Sequence, residues 1–255
     1  MNFMQEYIKL INQSEAKILS DKVLDLRDSF INYGDMSVLG AASYIHKHNI
    51  ELYQQIKSSL NPVLHKNFYN IFDRIRSYLQ LKFKKQFIFD LNLSYPGFHI
   101  FYPINEECFM PNTSLHIDTP YELHEEYLLE TYKDINFDFP ITFTLCLSLP
   151  STGGGLYYWD MDEWETKTLE QTEKFYSPIY EKYDDLFVNK KPTIEEYKSI
   201  LNPKVLEYQS GFINIFQGNL LHQIEPFRVG TQDNESRVTL QGHAIESEDK
   251  WIIYF

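Results

Sequence analysis

From Phe87 onward the apolar residues change from the three- and four-residue steps of helices to the two-residue step of strands, which commits most of the chain to a β core. Strands are predicted at Phe87-Ile88-Phe89, Leu91 to Leu93, Phe98 to Tyr102, Ile141 to Leu149, Leu156 to Asp160, Gly211 to Phe216, Leu220 to Ile224, Arg237 to Ile245 and Trp251 to Phe255. Pro96-Gly97 reads as a turn, and Ile141 to Leu149 as a strand buried on both faces. About eight strands from Phe98 onward suffice for two antiparallel sheets that face each other. Ahead of them, residues 1–85 read as helical. Tyr7, Ile8, Ile11, Ile18, Leu19, Val23 and Leu24 recur at helical steps. Asn32 to Asp35 breaks the pattern, with Asp35 or Ser37 as the cap of the next helix. A helix over Ile50 to Leu60 is expected to stop at Asn61-Pro62, with helical spacing resuming from Leu64 to Lys84. The expected organisation is one domain over residues 1–255: a helical buttress (1–85) and a β core (86–255) interrupted by an insertion at 161–207, read as a lid or partner surface.

Composition narrows the function classes. With 19 Tyr and 19 Phe the chain can fill a sizeable core. A net charge of -13 argues against phosphate-backbone binding. No apolar run approaches a membrane span, and Met1 to Glu15 lacks the apolar core of a secretory signal. Cys108 and Cys146 stand far apart with no CxxC, so two inert thiols in a cytoplasmic setting are expected. The acidic stretch Pro120 to Phe139 reads as helix and loop, either a solvated face or, since it leaves directly from Asp118, a rim beside the mouth of the site. His46, His48 and His65 lie on predicted helices as surface or packing residues, and His99 reads equally as a core or a cavity histidine.

The chemistry concentrates in Ser114-Leu115-His116-Ile117-Asp118. In a strand, side chains at i and i+2 share a face, so His116 and Asp118 can aim an imidazole and a carboxylate at one point. Such a pair is common by itself. Downstream, His222 supplies a second imidazole and Arg237 a cation. Two His and one carboxylate on one face of a metal leave three positions open, the arrangement of non-heme Fe(II) oxygenases, although the same ligands also accept Zn or Mn. Gly153-Gly154-Gly155 opens no helix, so it reads as a turn rather than a phosphate loop.

The ordered series His116-x-Asp118, Ile141 to Leu149, Gly153 to Leu156, Gly211 to Phe216, His222-x-Ile224-x-Pro226, Gly230 and Arg237-Val238-Thr239 resembles the 2-oxoglutarate and Fe(II) dependent dioxygenases, in particular their prolyl-hydroxylase-like branch, over about residues 97 to 245. The resemblance implies a double-stranded β-helix, the jelly-roll or cupin-like core, buttressed by α-helices. It implies His116, Asp118 and His222 as Fe(II) ligands, with 2-oxoglutarate and O2 as cosubstrates. Arg237 would fork onto the distal carboxylate of 2-oxoglutarate and Thr239 would add a hydroxyl. Asp118 occupies the position that related halogenases leave open for halide, which favours hydroxylation of an unactivated C–H bond, with desaturation or ring formation also compatible. The expected substrate is a small molecule, a free amino acid or amino-acid-derived metabolite, contacted by Tyr102, Asp160 and Arg228. The competing readings are a hydroxylase of prolyl or other residues in a protein, and a non-catalytic metal-binding scaffold of the same fold.

Overall fold

The computed structural model describes residues 5–34, 36–101, 116, 118–159, 203–218, 220–225, 227–228 and 236–255. In chain order the elements are β1 (Gln5–Lys9), α1 (Gln13–Leu24), β2 (Ile31–Tyr33), β3 (Met36–Leu39), α2 (Ile50–Phe83), β4 (Gln86–Phe89), β5 (Gly97–Phe101) and α3 (Glu125–Thr131). There follow β6 (Asn136–Ser148), β7 (Thr152–Gly153), β8 (Leu156–Trp159), β9 (Lys204–Leu206), β10 (Phe212–Gln217), β11 (Leu221–Ile224), β12 (Phe227–Arg228), β13 (Arg237–Glu246) and β14 (Lys250–Tyr254).

The major sheet runs β1-β10-β6-β13-β5-β3-β2, and β14 adds β4 to it by parallel pairing. Its centre is β13, which lies along β6 while its first half pairs with β5 and its second half with β14. The minor sheet is β11-β8-β9, with β12 paired to β7 nearby. Residues of both sheets line one cavity, so the two face each other across it as a double-stranded β-helix.

Period-two alternation decides what each face of the major sheet meets. On β6, Ile141, Phe143, Leu145 and Leu147 join the main core, which also holds Leu64, Phe68, Phe72, Ile75 and Leu79 of α2 and Ala16 and Val23 of α1. Thr142, Thr144 and Cys146 point the other way. On β13, Val238, Leu240 and Ala244 join the helices' side, leaving Arg237, Thr239, Gln241 and His243 for the cavity side. Thus β6 is buried on both faces over Ile141–Leu147, as expected, with one apolar face and one face of small side chains, Thr142, Thr144 and Cys146.

The N-terminal third departs most from expectation. Instead of a wholly helical layer, β1 forms an edge strand on β10, with Tyr7 opposite Asn214, and β2 and β3 form a hairpin on β5. These strands have five, three and four residues, too few for helical and strand periods to be told apart by sequence. Ser37 belongs to β3 and caps no helix; Asn49 caps α2 by accepting from the Leu52 N–H at 3.0 Å. α1 opens with a capping box between Asn12 and Glu15.

Helix α2 continues through Asn61-Pro62. An internal proline costs roughly 3 kcal/mol. Here the burial of Leu60 and Leu64 on either side, against the sheet, offsets it. The Asn61 side chain further anchors this point, donating to Leu93 O at 3.0 Å and accepting from the Tyr95 N–H at 3.2 Å. Leu91 to Leu93 forms a turn, not a strand, closed by the Leu93 N–H on Asp90 O. Residues 161–202 of the expected insertion lie outside the described residues, and its final part holds the edge strand β9. Among the described residues no helix is long and apolar enough to cross a membrane.

Candidate metal centre and anion pocket

His116 and His222 face each other in an isolated antiparallel bridge, each donating its N–H to the other's carbonyl, at 3.0 and 2.9 Å. This bridge extends the minor sheet beyond β11 and sets the two imidazoles 4.4 Å apart between ring centroids. The Asp118 N–H donates to Gly218 O at 2.8 Å, pinning the carboxylate beside them. His116 Nε2 lies 3.6 Å from Asp118 Oδ1, and His222 Nε2 lies 3.7 Å from Asp118 Oδ2. One ligand atom from each of the three residues falls within 4.8 Å of the others, the only such cluster of metal-ligating side chains among the described residues.

Hydrogen bonding fixes the chemistry of these donors. His222 Nδ1 sits 2.8 Å from Leu220 O, and a carbonyl only accepts, so Nδ1 carries the proton and Nε2 presents its lone pair to the cluster. Burial pulls the His222 pKa down to about 4, so the ring is neutral near pH 7. Burial opposes ionisation of Asp118, but His222, His243, His116 and the Thr142 hydroxyl outweigh it and hold the carboxyl below its usual range. A buried carboxylate, two imidazoles and a free Nε2 lone pair fit a divalent first-row metal.

Arg237 opens β13 and is 3% exposed. Its Nε donates to Gly154 O at 2.7 Å, and Nη1 lies 3.4 Å from Thr239 Oγ1. The guanidinium stands over the rings of Phe101 and Tyr208 at 5.6 and 5.8 Å. Gly153 and Gly154 both adopt positive φ, 75° and 79°, and this left-handed turn delivers the Gly154 carbonyl to Arg237. Among the described residues no carboxylate forms a salt bridge with this cation. Burial works against its charge, while Tyr208, Cys146 and the buried Glu225 carboxylate favour it.

Metal cluster and cation share one cavity of about 440 Å3. His99, Tyr44, Thr144, Tyr208, Phe216 and Gln241 line its walls, and Lys47 and Glu122 its exposed side. His99 Nε2 is 2.7 Å from the Tyr44 hydroxyl, and burial draws its pKa to about 3, so it is a neutral cavity histidine. Cys146 is fully buried and its thiol is pushed up to about 12, an inert group as expected.

The structure thus brings together His116, Asp118, His222 and Arg237. Thr239 is buried beside Arg237 and contacts it directly. Tyr102 and Asp160, expected substrate contacts, lie outside the described residues; Arg228 lies on β12, paired with Thr152. Tyr44, Thr142, Lys47, Tyr208 and His243 were not singled out by the sequence, whereas Glu122 lines the cavity as the rim reading of the acidic stretch expects. For Thr142 and Thr144 the signal was present: polar residues at alternate positions of an apolar run.

No protein-family model matches the sequence, and no curated protein is a significant match. Solved structures do share its fold. An N-substituted L-amino acid dioxygenase from Burkholderia ambifaria superposes with a TM-score of 0.50 at 12% identity, covering 98% of this chain and 86% of that one. The same enzyme in complex with alpha-ketoglutarate gives 0.50 and 12%, covering 99% and 86%. HygX from Streptomyces hygroscopicus, with nickel and 2-oxoglutarate bound, gives 0.48 and 10%, covering 96% and 84%.

Proposed function

We propose that the chain is an Fe(II)- and 2-oxoglutarate-dependent dioxygenase that hydroxylates a C–H bond of a small amino acid or amino-acid-derived molecule. The observation that carries this reading is the pairing, in one cavity, of a His-Asp-His cluster with a buried arginine. An oxo-diacid answers both features, with one end on the metal and the other on the guanidinium.

His116, Asp118 and His222 would hold Fe(II), leaving positions for cosubstrates. When bound, the metal and 2-oxoglutarate supply activation of dioxygen for C–H oxidation, with release of succinate and carbon dioxide. Arg237 binds and orients the distal carboxylate; its Nε is held by Gly154 O and its plane by Phe101 and Tyr208. The apolar walls from Phe216, Leu156 and Ile224 exclude water from the cavity interior. At the exposed side Lys47 and Glu122 offer one cation and one anion, and neither forms an ion pair with another described residue. That charge pair suits the carboxylate and ammonium of a zwitterion. The B. ambifaria protein that shares the fold is named for an N-substituted L-amino acid, a substrate of the same chemical class.

The test is anaerobic titration with Fe(II) and 2-oxoglutarate, followed by aerobic succinate release across free amino acids, N-substituted amino acids and short peptides. We expect a weak visible charge-transfer band, and succinate release stimulated by one class of small amino acid. Absence of the band overturns the cofactor assignment. A band with coupling only to peptides overturns the small-molecule assignment and favours a residue hydroxylase.

A further inference from the structure

Beneath the metal cluster, behind the residues that line the cavity, β6 and β13 place Thr142 directly opposite His243 in the antiparallel register. Both are buried, at 1% exposure each. Thr142 Oγ1 lies 2.7 Å from Asp118 Oδ2 and 3.0 Å from His243 Nδ1. A threonine hydroxyl has a single proton, and a metal-ligating carboxylate only accepts. The Thr142 proton therefore goes to Asp118, and His243 must donate from Nδ1 to the Thr142 oxygen. The direction of both hydrogen bonds follows from the atoms present. His243 Nε2 has no partner among the described residues and its ring rests 5.7 Å from that of Tyr254. An apolar ring would pack there without an unpaired nitrogen, so the imidazole is accounted for by the one bond its Nδ1 makes.

From this arrangement we propose that Thr142 and His243 form a buried relay that orients the Asp118 carboxylate toward the metal, with His243 as a positioning residue that acts through the threonine. The relay occupies Oδ2 and leaves Oδ1 wholly available to the ion. It also stops the carboxylate from turning about its terminal bond. Outer hydrogen bonds of this kind typically change metal affinity about 10- to 100-fold. The inference rests on the metal-centre reading above, but it concerns which of this chain's own residues set the geometry of that centre.

The test uses Co(II) alone as the probe, followed by its visible d–d absorption and by competition with a chelator, with no turnover required. Thr142→Val keeps the shape and removes the hydroxyl; Thr142→Ser restores it. His243→Leu removes the donor, and His243→Asn keeps an N–H near the Nδ1 position. We expect Thr142→Val and His243→Leu to weaken Co(II) binding by about 10- to 100-fold and to alter the absorption envelope. Thr142→Ser and His243→Asn should recover most of the loss. Melting of the metal-free proteins separates this from misfolding; if Thr142→Val does not fold, the His243→Leu and His243→Asn pair decides alone. Unchanged affinity and spectrum in both Thr142→Val and His243→Leu would overturn the relay while leaving the metal centre standing. Failure of the unmodified protein to bind Co(II) would overturn both.

Discussion

Replacing Arg237 by methionine separates the role of the cation from its contribution to folding. Without ligand, two effects oppose each other. The change removes a buried charge, whose burial costs several kcal/mol, and it leaves Gly154 O without its donor, a loss of about 1–3 kcal/mol. The metal-loaded, ligand-free variant should therefore melt within a few degrees of the parent. With 2-oxoglutarate the balance differs. Truncating one partner of a buried charge pair costs about 2–5 kcal/mol, and about 3 kcal/mol corresponds to a roughly hundredfold weaker Kd. At a ligand concentration of about 100 times the parent Kd, the parent gains about 2.7 kcal/mol and the variant about 0.4 kcal/mol. At about 2–4 °C per kcal/mol for a chain of this size, the ligand should raise the parent's melting temperature by about 5–10 °C and the variant's by about 1 °C. Mn(II), which does not turn over, serves as the metal in a thermal-shift assay with and without 2-oxoglutarate. An undiminished ligand-induced shift in Arg237→Met would refute the assignment of the buried guanidinium as the anion anchor.

Three further outcomes are expected. Burial holds the pKa values of His99, His124 and His222 to about 3, about 4 and about 4, so in the unfolded chain these rings take up protons near pH 6.5 while the folded ones stay neutral. Stability should be fully present above about pH 6.5 and fall as the pH drops toward 4; metal-free melts that are flat between pH 7 and 5 would contradict this. Gly97→Ala would place a Cβ 2.0 Å from the Phe255 ring, and overpacking of this kind costs about 1–3 kcal/mol in a denaturant titration. Asn49→Ala should cost about 1 kcal/mol by removing the cap of α2, with no change in metal affinity.

The β core was legible because its strands are long or strongly alternating: β6, β10, β13 and β14 fall within a few residues of where the hydrophobic period puts them. The metal cluster was legible for another reason. The resemblance of the ordered motif series to the 2-oxoglutarate dioxygenases nominates His116, Asp118, His222 and Arg237, and the antiparallel bridge from His116 to His222 helps bring the first three together. Short strands escaped, since β1, β2 and β3 carry too few residues to display a period. The expected stop at Asn61-Pro62 failed because tertiary burial of Leu60, Leu64 and Phe68 outweighs a local proline penalty. Thr142 and His243 stand 101 residues apart in sequence, and only the register of β6 against β13 makes them neighbours.

That strand, β13, carries more than its share of the site. Along one face it presents Arg237, Thr239, Gln241 and His243, with the proposed anion anchor at one end and the proposed support of the metal ligand at the other. Hydrogen-bonded to β5, β6 and β14, it cannot stretch. Apart from the irregularity between Val238 and Thr239, it works as a measuring rod: in the proposed site the interval between cation and metal is set in strand repeats of about 3.4 Å per residue, not by loops that adjust. In the proposed reaction, a diacid longer or shorter by one methylene would miss one end by about an ångström, roughly a third of a strand repeat, a misfit that such a rod hands back to the ligand. Selectivity for cosubstrate chain length is then a property of sheet geometry.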